Sequence, residues 1–138
     1  MKIVFTILLF TCMGVSFFSC EDYIEKGIEG QWQMTKVIET DGSEHAVDTI
    51  YYGFKKGVFK YMRMKTEFTS FDYYGQYTER DGKLKLVLSD PWSNCEECNG
   101  DDLYWGIGQY ERIYNVQKRT SSTLELEFNG ELYIFRKY

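Results

Sequence analysis

Two cysteines three positions apart, in Cys95-Glu96-Glu97-Cys98, form the sharpest chemical motif of the chain. In a redox protein this spacing sits at a helix start that stabilises a thiolate. Here two carboxylates lie between the sulfurs and Asp101-Asp102 follow, a field that disfavours the thiolate and its attack. A zinc site needs four ligands, and only His45 and acidic groups are left to complete one. A short disulfide pinning a long loop therefore stands ahead of the metal and redox readings. His45, the only histidine, has Asp41, Ser43 and Asp48 close by, the residue types of a hydrolytic triad. All of them fall in or beside one turn, whereas a triad depends on mutual geometry and not on proximity in sequence. His45 reads as a solvated turn residue. Acids are abundant, but no two are singled out as a pair for sugar cleavage. The expectation is a protein that is not an enzyme and takes no cofactor.

Cys20 carries different chemistry. Met1-Lys2 opens an apolar leader running through Ile3, Val4, Phe5, Ile7, Leu8, Leu9, Phe10, Val15, Phe17 and Phe18, with Ser19 just before the cysteine and Glu21-Asp22 after it. A charged start, an apolar stretch short for a bilayer and a small residue at the boundary make a secretory signal. A cysteine at that boundary resembles a bacterial lipobox, which implies that Cys20 is lipidated and becomes the mature first residue. The domain reading follows: residues 1–19 signal peptide, 20–29 lipidated cysteine and tether, 30–138 one domain. Export places Cys95 and Cys98 in an oxidising compartment, which favours their disulfide. With Cys12 in the leader and Cys20 acylated, those two remain as a pair.

The full chain has 16 basic and 21 acidic side chains, and Lys2 is the only charge in the leader. The mature balance is therefore 15 against 21, or −6. That sign argues against nucleic acid, whose phosphates need a basic face. It argues equally against adsorption to anionic lipid through protein charge. Attachment to a membrane would come from the acyl chains.

The elements that must position these residues read as β almost throughout. Tyr, Phe, Thr and Val recur, and Pro91 is the only proline. The expected strands are Trp32–Ile38 with a bulge, Asp48–Lys55 (alternating as Ile50, Tyr52 and Phe54), and Val58–Phe68 (Val58, Met62, Met64 and Phe68 on one face). A break over Ser70–Asp72 precedes strands at Tyr73–Glu79 and Lys83–Ser89. An irregular stretch covers about 90–108. Tyr110–Arg119 follows, then a hairpin of Thr123–Phe128 and Glu131–Tyr138 joined by Asn129-Gly130, a favoured two-residue turn. That turn pairs Phe128 with Glu131, Leu126 with Tyr133 and Leu124 with Phe135, and so fixes the core face. No segment shows convincing helical periodicity. The expected fold class is all-β, an antiparallel up-and-down barrel of about eight strands, whose closure removes exposed edges and leaves an interior either packed or holding one small ligand.

Two details resemble lipocalin-like barrels. Gly30-Gln31-Trp32 stands at the entrance of the first strand, like the Gly-x-Trp element of that superfamily. Arg136 lies on the last strand, and the resemblance implies that it packs over Trp32 as a cation–π contact. The layout is similar to lipocalin-like domains of unknown function in Gram-negative lipoproteins, over about residues 28–138. That resemblance implies an outer-membrane location, and Glu21-Asp22 after the cysteine lean towards surface exposure.

Aromatic side chains exceed what one sheet face requires, so some must point outward or into a cavity. Two binding readings result. In the first, a small apolar or amphipathic ligand sits in the barrel mouth and touches inward residues Met62, Met64, Leu86, Leu126 and Tyr133. In the second, a protein or glycan docks on the pinned loop, whose shoulders carry Trp92, Tyr104 and Trp105.

Overall fold

The computed structural model describes residues 27–89 and 111–138. Cys20, Cys95, Cys98, Trp92, Tyr104 and Trp105 lie outside the described residues. Within them the elements are all strands: β1 Gly30–Ile38, β2 Glu44–Ala46, β3 Ile50–Lys55, β4 Val58–Thr66, β5 Thr69–Arg80, β6 Lys83–Leu88, β7 Glu111–Arg119, β8 Thr123–Phe128 and β9 Glu131–Lys137. Every neighbouring pair is antiparallel. β9 returns to β1 from Trp32↔Lys137 to Ile38↔Leu132, so the sheet closes on itself. β2 and β3 both pair with β1, over Lys36–Ile38 and Gly30–Gln33 respectively. A strand has two edges and β9 occupies one, so β2 and β3 lie in line on the other. The result is a closed eight-stranded antiparallel barrel with one extra short strand.

The tight turns fix the faces. Asn129 (φ 54°) and Gly130 (φ 85°) both adopt the left-handed conformation that a two-residue hairpin turn needs. The register is Phe128↔Glu131, Leu126↔Tyr133 and Leu124↔Phe135, as the turn predicts. The expected bulge in the first strand is also present, between Met34 and Lys36 against β9. It carries the inward face from Trp32 and Met34 over to Val37.

Two expectations are corrected. Ser70–Asp72 is no break, because β5 begins at Thr69. Ser70 and Asp72 are the outward residues of a strand whose Phe71 and Tyr73 face the other way, and Asp72 ties down through Lys60 at 2.7 Å. The inward face of β4 is Phe59 and Tyr61, not Val58, Met62, Met64 and Phe68. Lys56 (φ 49°) and Gly57 (φ 82°) make another two-residue turn, which pairs Lys55 with Val58 and Phe54 with Phe59. Since Phe54 points inward, so must Phe59 and Tyr61. Met62 and Met64 are left on the outer wall.

The interior is filled by rings. Tyr52 lies at its centre, with ring centroids at 5.1 Å from Phe59, 5.8 Å from Tyr61, 6.5 Å from Tyr114 and 4.8 Å from Phe135. Such offset and edge contacts match the quadrupoles of the rings. At the corner of β5, Gly75 pairs with Leu88 on β6 and Phe59 on β4. A Cβ there would stand 1.9 Å from the Val87 carbonyl oxygen, so only glycine permits this approach of two backbones.

Candidate functional site

The outer wall carries a groove of about 300 Å³, the lower end of the range for small-molecule sites. Gln31, Tyr51 and Tyr138 border it on one side, and Glu67 and Phe68 of the β4–β5 turn with Thr69 and Ser70 at the start of β5 on the other. Met62 and Met64 lie on the strand between. Strand alternation puts Met62 here, since Tyr51, its partner in the ladder, points away from its buried neighbour Tyr52. The turn is held by a hydrogen bond between the Thr66 and Thr69 hydroxyls at 2.8 Å. It leaves Phe68 92% exposed beside the groove.

A polar relay positions Tyr51. The Arg136 guanidinium donates through Nε (2.8 Å) and Nη2 (2.6 Å) to Gln33 Oε1. Gln33 Nε2 then donates to the Asp48 carbonyl at 2.8 Å and to the Tyr51 hydroxyl at 2.9 Å. The Tyr138 ring meets Tyr51 edge-on at 5.2 Å. Gln33 is only 6% exposed, and these bonds satisfy both ends of its amide. The groove thus combines soft thioether side chains, which adapt to irregular shapes, with rigid aromatic edges and a polar rim of Gln31, Glu67 and Ser70. That composition suits a small amphipathic molecule. At its rim the Ser70 hydroxyl donates to the Asp72 carboxylate at 2.8 Å. Among the described residues no cluster of His, Cys, Asp or Glu is placed to hold a metal ion.

The other expected positions fall elsewhere. Leu86, Leu126 and Tyr133 do face the interior, but as parts of the packed core at 0–2% exposure. Trp32 is buried at the start of β1, and its indole Nε1 donates to the Ile28 carbonyl at 2.7 Å. Gly30 precedes it with φ 114°. The cation over the indole is Lys137, with Nζ 4.7 Å from the ring, and not Arg136. Inward alternation along β9 runs Tyr133, Phe135, Lys137, so Arg136 points outward to Gln33.

A second polar cluster lies inside the barrel. The Tyr52 and Tyr114 hydroxyls share a hydrogen bond of 2.9 Å, and Arg112 Nη1 donates to the Tyr114 hydroxyl at 3.1 Å. The Arg112 guanidinium sits 4.4 Å from the Phe128 ring centroid. Burial pushes the Tyr52 and Tyr114 hydroxyls above the usual phenol range. Burial also raises Tyr133, reinforced by its hydrogen bond to Glu131 at 2.5 Å. Burial works against the Arg112 charge, and the phenols of Tyr114 and Tyr52 outweigh it.

Sequence reasoning missed Gln31, Gln33, Glu67, Thr69, Ser70 and Tyr138 as parts of one site. Only the two-residue turn at Lys56-Gly57 offered a signal, because it puts Met62 on the same wall as Tyr51.

Comparison with known proteins agrees with the barrel. A family model described as a lipocalin-like domain matches residues 13–138. Among solved structures, a lipocalin-like protein from Bacteroides uniformis superposes with a TM-score of 0.68 at 25% identity, covering 80% of this chain and 97% of its own. An uncharacterized protein from Bacteroides eggerthii gives 0.68 at 30% identity, covering 80% and 98%. No curated protein matches the chain.

Proposed function

The chain belongs to the lipocalin-like domain family, and from that premise we propose an exported, lipid-anchored binding protein of the outer membrane that holds a small amphipathic molecule. The observation that carries the reading is the groove of about 300 Å³ lined by Tyr51, Met62, Met64, Phe68 and Tyr138. The ligand lies on the outer wall, because the interior around Tyr52 is occupied by packed rings. Its apolar part covers the thioethers, and its polar part meets Gln31, Glu67 and Ser70. The fold alone names no ligand, so the proposal stops at this chemical class. Anchoring is supported by the apolar leader ending at Cys20, and the Cys95–Cys98 disulfide by the oxidising compartment that export implies.

Native mass spectrometry of the protein extracted from its own host tests both parts. The expected result is an acyl mass on the Cys20 peptide and a bound small molecule that is lost in Met62→Glu. An unmodified Cys20 peptide removes the anchor, and a protein free of any bound mass removes the ligand.

A further inference from the structure

Strand direction sorts the loops of the barrel into two rims. β1, β4, β6 and β8 all start at one rim, and β3, β5, β7 and β9 all end there. That rim carries residues 27–29 and the turns at Lys56-Gly57, Asp81-Gly82 and Ser121-Ser122. The chain as a whole is acidic, at −5. The rim is not.

Lys55 and Lys56 stand on its first turn, and Arg80 and Lys83 flank the second. Lys118 and Arg119 lead into the third, and Arg136 and Lys137 end β9 beside them. Against these eight cations the rim sets four carboxylates, Glu29, Glu79, Asp81 and Glu125, the last three in ion pairs with Arg119, Arg80 and Lys118. The opposite rim has the reverse sign. Glu39, Asp41, Glu44 and Asp48 crowd its β1–β3 side, and Glu67, Glu127 and Glu131 stand on its other turns. Among the described residues Lys36, Arg63, Lys65 and Arg112 offset them there only in part. The net charge adds the two rims together and so hides their polarity.

The basic rim is also where the N-terminal segment joins the barrel. Ile28 is buried under the barrel, its carbonyl bound by the Trp32 indole, and Glu29 Oε1 accepts from the Lys56 backbone N–H at 2.9 Å. Gly27 is therefore fixed at this rim. Six residues separate it from Cys20, a reach of at most about 25 Å.

We propose that this rim is a membrane-docking face that binds anionic phospholipid headgroups. Its orientation rests on the acyl anchor at Cys20, but the attraction itself belongs to the barrel and is measured without the acyl group. Each cation near an anionic leaflet strengthens binding on the order of fivefold, and salt screens the effect. The acidic rim, with its turns and the ends of β6 and β7, then faces away from the bilayer.

The test is flotation of residues 21–138, which contain every strand ladder of the closed barrel, with lipid vesicles. The protein is expected to float with mixed phosphatidylcholine–phosphatidylglycerol vesicles at low ionic strength, to stay down with pure phosphatidylcholine, and to be released by salt. The triple variant Lys55→Gln, Arg80→Gln, Lys83→Gln weakens binding on the order of a hundredfold. The opposite-rim variant Lys36→Gln, Lys65→Gln leaves it within about twofold. Equal binding to neutral vesicles, binding indifferent to salt, or equal loss in both variants overturns the proposal. Lysine acetylation of the wild type on anionic vesicles gives an independent reading should the triple variant misfold. Protection of Lys55 and Lys83 with Lys65 still reactive supports the docking face, and the reverse pattern refutes it. Absence of flotation sinks this proposal alone, whereas absence of an acyl mass on Cys20 sinks the anchor.

Discussion

Gly75→Ala should be the most damaging single-methyl addition on the barrel wall. Gly75 is where β5 leaves β6 and projects towards the β4–β5 turn that borders the groove. An added Cβ would lie 1.9 Å from the Val87 oxygen, 2.7 Å from its carbonyl carbon and 2.8 Å from Leu88 Cα. All three are backbone atoms, so no side chain can swing aside. Restoring ordinary contact requires β5 and β6 to part by about 1.3 Å, given a C···O contact near 3.2 Å. That opens the Gly75↔Leu88 pair and the Ser89 N–H bond to the Tyr74 carbonyl. Two backbone hydrogen bonds contribute about 1–3 kcal/mol and overpacking about 1–3 kcal/mol more. The expected loss is about 2–6 kcal/mol, a fall in melting temperature on the order of 15 °C for a domain of this size. Gly53→Ala is the internal control, because its Cβ would meet the Lys60 Cβ at 3.4 Å, an ordinary contact. It should stay within about 1 kcal/mol of the wild type. Thermal and urea unfolding followed by circular dichroism measure both. A Gly75→Ala protein melting within a few degrees of Gly53→Ala would refute the claim that the two backbones touch there.

Three further outcomes follow from the same structure. Tyr52, Tyr114 and Tyr133 hold their protons above the ordinary phenol range because they are buried. A raised folded value means their contribution is complete below about pH 10 and is lost as pH rises above it, so phenolate absorbance should appear together with unfolding in an alkaline titration. Glu127 is held below the usual carboxylate range by its hydrogen bonds from Asn115 and from the Gly130 N–H. A lowered folded value gives stability that is present above the ordinary carboxylate range and lost as pH falls through it. Glu127→Gln should therefore flatten the acid limb of the melting profile, by about a degree or two. Lys137→Ala should cost about 1 kcal/mol through its contact with Trp32 and change the near-ultraviolet dichroism of the indole, while Arg136→Ala leaves that signal in place and loosens Gln33.

The parts of the fold legible in the sequence were those that a turn determines. Asn129-Gly130 sets the faces of β8 and β9, and every residue that it puts inside is inside. The eight-stave barrel was legible from alternation and turn spacing, and its lipocalin-like character from Gly30 and Trp32. β4 was misread because Val58, Phe59, Tyr61, Met62 and Met64 make both of its faces apolar, so alternation alone cannot choose between them. Only pairing with Phe54 across Lys56-Gly57 decides. Ser70 and Asp72 looked like a break because an outward polar face of a strand has the composition of a loop. The exchange of Lys137 for Arg136 over Trp32 is the same one-residue question of facing. Of the groove only the shared wall of Tyr51 and Met62 was legible, through the Lys56-Gly57 turn, since the rest gathers side chains from β1, β4, the β4–β5 turn, β5 and the chain end, which meet only when the sheet curls.

Residues 21–138 contain three methionines, and they separate the two places a ligand could occupy. Met34 is fully buried in the barrel interior, while Met62 and Met64 line the groove on its outer wall. The decisive measurement is the ¹³C-methyl methionine spectrum of the protein as a small-molecule extract of its host is added. The account predicts that the Met62 and Met64 signals move while Met34 stays. A shift at Met34 alone, or three unmoved signals beside a demonstrably bound molecule, would contradict it.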